Sequence, residues 1–160
     1  GRTVYFKVGM IRRLWIWIAL FDLIRVYAIS IRLKLLFGYS VICDRYLWDT
    51  LIDLKILFPG ENVEEWVLWK ILKRMSPKPD GAFLMMVPYG ISQQRSAAKG
   101  DRHVEPEGHL KRRYRLYEDL TRCNWFHIMD GTKPAEEVFE SILENLGDGL
   151  SEMVRPTIIQ

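Results

Sequence analysis

An acid and a base follow directly after a short apolar run in the first third of the chain. Val41, Ile42 and Cys43 form the run, and Asp44 and Arg45 come next. A continuous apolar run is typical of a parallel strand covered on both faces. Ligands of open α/β sheets bind at the carboxyl ends of the strands, where a carboxylate can hold Mg²⁺ and a guanidinium can bind phosphate. The alternative is a surface salt bridge.

Composition indicates a globular protein. The 160 residues are enough for one domain with a buried core, and 49% apolar with 27% charged residues argues against disorder. A net charge of +3 gives no argument for a nucleic-acid partner. Cys43 and Cys123 both lie in apolar, strand-like runs, which predicts buried free thiols in a reducing compartment and therefore a cytoplasmic protein.

A helical pattern extends from residue 10 to residue 37, and its most apolar run covers residues 14–21. A bilayer span needs about 20 apolar residues. We therefore predict a core helix and no membrane span. A helix lying on a membrane surface is the alternative.

Strand-like and helix-like segments alternate along the chain, which predicts an α/β fold, a three-layer parallel sheet flanked by helices. Asn62 followed by Glu65 is a helix-start pattern. The predicted strands are 3–8, 41–43, 82–87 and 125–129. The predicted helices after the first are 47–58, 62–75, 91–98, 106–122 and 135–146.

Several motifs stand in the order found in one family. The Asp44-Arg45-Tyr46 strand end resembles that of thymidylate kinases and related P-loop nucleotide kinases. Residues 77–88 are similar to the family's Pro-Asp-strand-Pro segment, Arg95 falls where its mobile lid begins, and residues 130–138 resemble its closing turn and helix. The resemblance implies a P-loop kinase fold, a single domain over residues 1–146 and a tail at 147–160.

The resemblance also implies a reaction, the transfer of the γ-phosphate of ATP to a nucleoside monophosphate or similar acceptor, with Mg²⁺. Asp44 would hold the metal or orient the acceptor, and Arg45 would bind the acceptor's phosphate or the transferring group. Arg95 would close with the lid and stabilise the developing charge. The alternative for Arg95 is a solvated helix arginine.

Binding residues follow from the same resemblance. For the acceptor they are Tyr46, Trp48 and Asp49. For ATP they are Arg95, Thr132, Lys133 and Pro134, the last three lying against the adenine. Lys99 and Arg102 could assist from the same loop, and the favoured alternative for both is a solvated side chain without a role in binding. The expected partner is a small-molecule nucleotide, and the resemblance leaves a homodimer open.

The chain also departs from the family. It contains no Gly-x-x-x-x-Gly-Lys-[Ser/Thr] sequence, so we expect a fragment without the amino-terminal quarter, inactive by itself. In the family, the five strands of the sheet lie in the order 2-3-1-4-5. The central strand, strand 1, would be missing from this chain. Met86 replaces an acid, and Leu51-Ile52-Asp53-Leu54 replaces the stretch that lines the thymine site, which argues against a thymine-specific pocket. The alternative function is a non-catalytic binding or interaction domain that kept the fold.

Overall fold

The computed structural model describes residues 9–98, 106–123 and 126–146. The predicted strand at 3–8, the lid residues Lys99 and Arg102, and the tail 147–160 lie outside the described residues. The chain divides into two compact units, Gly1–Lys78 and Pro79–Gln160. Whether residues 1–146 act as one domain stays a prediction.

The described part of the first unit is helical. Its elements are α1, Gly9–Leu36, whose middle segment Ile24–Ser30 is a π-helix; α2, Leu47–Leu57; a single 3₁₀ turn, Val63–Glu65; and α3, Val67–Met75. All three helices lie where the periodicity predicts them. The predicted start of α3 at Asn62 is the exception. The Asn62 side chain makes no capping hydrogen bond, and α3 begins at Val67.

One hydrophobic core joins the elements of this unit. Its buried members come from every helix and from the loop after α2. They are Ile16, Leu20, Leu47, Leu51, Leu54, Phe58, Val63, Trp69 and Leu72. Because residues four apart lie on one helix face, Ile16 and Leu20 of α1 point together into this core.

The opposite face of α1 is exposed. Ile16 and Leu20 are 0% exposed, whereas Leu14, Ile18 and Phe21 are 60%, 62% and 70% exposed. By length and composition alone α1 could cross a membrane, with a mean hydropathy of 1.8 over its apolar window. Core helices of soluble proteins pass the same test. The absence of a membrane span stays a prediction.

A buried carboxylate fixes the beginning of α1 to the loop after α2. Glu61 is 6% exposed, and both Arg12 and Arg13 donate hydrogen bonds to its carboxylate. Burial raises the pKa of Glu61, but the hydrogen bonds from the two guanidinium groups outweigh that effect, so the pKa lies below its usual value.

The prediction of a buried strand at residues 41–43 is wrong. The segment between α1 and α2 contains no strand, Ile42 is 73% exposed, and Cys43 is exposed rather than a buried thiol. A strand must pair its backbone N–H and C=O groups with a neighbouring strand. The described residues of this unit include no strand that could be that neighbour. Gly38, with φ of 79°, ends α1 as predicted.

The described part of the second unit contains a small parallel sheet and three helices. Its elements are β1, Phe83–Met86; α4, Tyr89–Ala98; α5, Glu107–Thr121; β2, His127–Asp130; and α6, Ala135–Leu146. The two strands pair in parallel, with Phe83 opposite His127 and Met86 opposite Asp130. Both strands were predicted from sequence, and their pairing agrees with the family's order for its last two strands.

Each face of this sheet is covered only in part. Register partners in a sheet share a face, so the buried Leu84 lies beside Ile128, which is 52% exposed, and the buried Met129 lies on the other face beside Met85, which is 61% exposed. The described residues thus form a mostly helical structure with a two-stranded parallel sheet, and the three-layer sheet of the prediction is not shown. Both strands end at the same edge, at Met86 and Asp130.

Candidate functional site

A tight turn leaves the sheet at this edge. The Asp130 carboxylate accepts hydrogen bonds from the Thr132 backbone N–H at 2.9 Å and from the Thr132 hydroxyl at 2.6 Å. The N–H of Lys133 donates to the Asp130 carbonyl at 3.3 Å, and Pro134 leads into α6. An aspartate that binds the backbone two residues later is a common way to build a turn, and here it fixes residues 130–134 at the end of β2.

Gly131 allows this turn to approach β1. It is buried, and its N–H donates to the carbonyl of Met86 at 3.0 Å. A Cβ atom at residue 131 would lie 2.5 Å from Cγ2 of Val87, which is closer than real Cβ contacts allow. Glycine is therefore required by space at this position.

Arg95 of α4 contacts the outer side of the turn. Its Nη1 donates to the carbonyl of Gly131 at 2.7 Å, and its Nη2 donates to the carbonyl of Thr132 at 3.2 Å. The guanidinium is planar, so these two bonds fix its orientation against the turn. Arg95 is thus bonded to the turn that contains Thr132, Lys133 and Pro134. The family resemblance implies that all four residues bind ATP.

The charges around the turn are close to solvent. Hydrogen bonds from the Thr132 hydroxyl and then from its N–H hold the pKa of Asp130 below its usual value, so this carboxylate is ionised at neutral pH. Lys133 Nζ lies 3.9 Å from the carboxylate of Glu137, an exposed pair that contributes little to stability. Thr132, Lys133 and Pro134 are all exposed and accessible to a ligand.

Asp44 and Arg45 lie in the first unit, in the exposed loop before α2. Arg45 has a φ of 70°, a conformation that costs a non-glycine residue about 1–2 kcal/mol. Its guanidinium lies 3.7 Å from the carboxylate of Asp53 in α2, which is an exposed ion pair that the sequence did not predict. Neither residue stands at the end of a strand, so the geometric basis for their predicted role is absent here.

The three predicted acceptor-binding residues make structural contacts at the start of α2. The Asp49 carboxylate accepts from the N–H of Tyr46 at 3.0 Å, as in the returning half of a capping box. The Tyr46 hydroxyl donates to the Pro77 carbonyl at 2.9 Å, and burial raises its pKa. Lys73 Nζ lies 5.2 Å from the centre of the Trp48 ring. A role in acceptor binding stays a prediction for all three.

The described residues contain no preformed protein cage for a metal ion. Among them, no group of three or more His, Cys, Asp or Glu side chains is placed to hold a metal ion. Asp44, the predicted ligand, is exposed. In phosphoryl-transfer sites Mg²⁺ is usually bound through one or two carboxylates together with nucleotide phosphates, so Asp44 stays a predicted ligand.

Two contacts were not foreseen from the sequence. One is the bond pair from Arg95 to the turn carbonyls, and the other is the enclosure of Glu61 by two arginines. The tripeptide Asp130-Gly131-Thr132 after a strand did signal the turn, but not the contact with β1. Each of these contacts joins residues more than 30 positions apart, which local patterns do not report.

Comparison with known proteins gives one match. The family model described as Thymidylate kinase matches residues 18–142, well over half of the chain. No curated protein and no solved structure matches. The matched range includes the Asp44-Arg45-Tyr46 segment, Arg95 and the turn at residues 130–134. The chain therefore belongs to the thymidylate kinase family.

Proposed function

We propose that this chain serves a nucleotide kinase reaction, the transfer of the γ-phosphate of ATP to a nucleoside monophosphate or a similar acceptor. Membership of the thymidylate kinase family supports a nucleotide kinase-like function, with kinase, transferase and nucleotide-binding character. The family match over residues 18–142 is the observation that carries the proposal.

The contact between Arg95 and the turn at residues 130–134 supports the part of this proposal that concerns ATP, the phosphate donor. The two bonds to the carbonyls of Gly131 and Thr132 hold the guanidinium at the edge of the sheet where α/β proteins bind ligands. A guanidinium face held in this way can stack on a nucleobase. In this role Arg95 and the exposed Thr132-Lys133-Pro134 segment bind the base of ATP.

The acceptor side rests on the family resemblance. Asp44 and Arg45 would orient the acceptor and bind its phosphate, and Tyr46, Trp48 and Asp49 would line its site. Family members generally use ATP and Mg²⁺, and the metal supplies charge neutralisation at the transferring phosphate. In this chain Asp44 would be the protein ligand of that metal.

We further infer that these 160 residues alone do not transfer phosphate, since no Gly-x-x-x-x-Gly-Lys-[Ser/Thr] loop is present in them to hold the phosphates of ATP. The test is a phosphotransfer assay with ATP, Mg²⁺ and a panel of nucleoside monophosphates. We expect product formation equal to a protein-free blank. Turnover well above that blank would contradict this inference and would identify the acceptor.

A second function is favoured by the exposed position of Asp44 and Arg45. In this alternative the chain is a binding or interaction domain that kept the family sequence without catalysis. Affinity for Mg²⁺–ATP separates the two functions. The kinase-type proposal predicts measurable binding, with resonance shifts at Arg95, Gly131 and Thr132 in NMR spectra. An interaction domain that lost the nucleotide site predicts neither.

A further inference from the structure

The outward side of α1 carries a second apolar stripe. Met10, Leu14, Ile18 and Phe21, here called the outer stripe, are each at least 60% exposed and follow one another at intervals of three or four residues. Side chains at that spacing share one side of an α-helix, and this is the side opposite to the buried Ile16. A surface helix normally presents polar residues to water, so a contiguous apolar stripe indicates a binding surface.

Aromatic side chains add to this surface. Trp17 lies beside the outer stripe and is 48% exposed, and its ring centre lies 6.2 Å from that of Trp66. Tryptophan is apolar with one N–H donor, and it is enriched where a membrane meets water. At the far end of α1, Leu36 and Phe37 are 81% and 78% exposed. Large apolar side chains are thus exposed toward both ends of this helix.

The same helix carries the net positive charge of the chain. Its five cationic side chains are Arg12, Arg13, Arg25, Arg32 and Lys34. Two carboxylates pair with members of this set, Asp22 of the helix itself and the buried Glu61. Five cations and two carboxylates leave +3, and the net charge of the whole chain is also +3. The remaining residues are therefore neutral in sum.

This charge distinguishes the partners that an apolar helix face can accept. In a symmetric dimer the same face of two copies meets, so two helices of +3 would be brought together and would repel one another. A bilayer with anionic headgroups provides an apolar phase for the outer stripe and negative charge for the cations. Charge complementarity therefore favours a lipid surface over a second copy of this chain.

We propose that α1 lies flat on an anionic lipid surface, with the outer stripe and Trp17 at the level of the headgroups. Ile16 and Leu20 stay in the core of the first unit, so the helix rests on the bilayer without crossing it. Long arginine and lysine side chains keep their charge at the headgroups while their stems lie along apolar groups. This membrane-binding surface goes beyond the proposed nucleotide kinase function, and neither proposal depends on the other.

Vesicle sedimentation with the full 160-residue chain tests the proposal. Vesicles of phosphatidylcholine alone are compared with vesicles that also contain about 30 mol% phosphatidylserine. We expect the chain to partition onto the anionic vesicles at least about tenfold more strongly, and to be released when the salt concentration rises from about 0.1 M to about 0.5 M. Absence of sedimentation with anionic vesicles overturns the proposal. Equal sedimentation with both vesicles also overturns it, because the charge of α1 would then play no part.

Phe21→Gln tests whether the outer stripe enters the lipid. Phe21 is 70% exposed, so we expect the variant to fold, with an unchanged circular dichroism spectrum, and to partition onto anionic vesicles about five- to tenfold more weakly. Leu57→Gln is the matched control, because Leu57 is 59% exposed at the end of α2, and we expect no change. Equal binding by Phe21→Gln and the native chain would overturn the proposal, since charge alone would then account for the attraction.

Sedimentation velocity without lipid tests the competing partner, a second copy of this chain. We expect Phe21→Gln to have the same mass in solution as the native chain. A native dimer that this substitution dissociates would assign the outer stripe to contacts between copies and would overturn its assignment to lipid.

Discussion

Gly131 is the residue on which the candidate site depends most directly. Its backbone lies against β1, with its N–H bonded to Met86 and no room for a Cβ beside Val87. The carbonyl of this same glycine accepts the shorter of the two bonds from Arg95. A side chain at residue 131 would therefore push the turn away from the strand and move both carbonyls that Arg95 binds.

We predict that Gly131→Ala lowers the free energy of unfolding by about 1–3 kcal/mol, because the added methyl group overlaps Val87. Chemical denaturation of the full chain measures this loss. Gly108→Ala is the matched control in the same unit, since Gly108 lies in α5 with open space around it. There, alanine should stabilise the helix by about 0.5–1 kcal/mol. Equal effects of the two substitutions would contradict the steric argument.

At the scale of elements, Glu61 holds α1 to the loop that follows α2. Its carboxylate is buried and binds Arg12 and Arg13 near the start of that helix. A buried charge is tolerated only when it is paired, so removing its charge should weaken the attachment of the helix to the core. The contact of Glu61 with the two arginines belongs to the first unit, whereas the turn at residues 130–134 belongs to the second.

We predict that Glu61→Gln lowers the free energy of unfolding at neutral pH by about 1.5–3 kcal/mol, the range for hydrogen bonds to charged groups. Denaturant titration of both proteins measures the difference. The control is Glu64→Gln in the 3₁₀ turn that follows, because Glu64 is more exposed and pairs with Lys55 at 2.7 Å. We expect a change below about 1 kcal/mol there. A larger loss in the control than at Glu61 would contradict the assignment.

The same carboxylate predicts a dependence of stability on pH. The folded-state pKa of Glu61 lies below its unfolded value, so the unfolded chain binds the proton more readily. The stabilisation is therefore present above the unfolded pKa of about 4.3 and is lost as the pH falls through the lower folded pKa. The difference in stability between the native chain and Glu61→Gln should shrink across that acidic range. A difference that stays constant with pH would show that the charge does not contribute.

At the scale of the whole molecule, the burial of one face of α1 bears on whether this helix spans a membrane. The helix is long and apolar enough to span one, but Ile16 and Leu20 are fully buried in the core of the first unit. If α1 spanned a membrane, Ile16 and Leu20 would lose their contacts with that core. The charged side chains Asp22 and Arg25 would also enter the bilayer, where each costs about 2.5–3.5 kcal/mol near the centre.

We predict that α1 does not insert across a membrane. After incubation with liposomes and an alkaline carbonate wash, the full chain should be recovered in the supernatant rather than in the lipid pellet. A chain with an inserted helix would resist the wash. A carbonate-resistant pellet would overturn the assignment of α1 to the core of the first unit, and with it the contacts of Ile16 and Leu20.

The sequence alone determined the order and boundaries of most elements. Six helices and two strands lie close to their predicted positions because periodicity, glycine and proline act locally. The motif order also led to the family that the comparison confirms. The order of the two described strands follows from that same resemblance.

Only the tertiary structure decided which of the predicted residues meet. It joined Arg95 to the turn, where both lie in one unit, and it showed residues 41–43 as an exposed loop. An apolar run becomes a strand only when a neighbouring strand satisfies its backbone, and that condition is a property of the fold rather than of the run. The same reason explains why the Arg95 contact had no local signal.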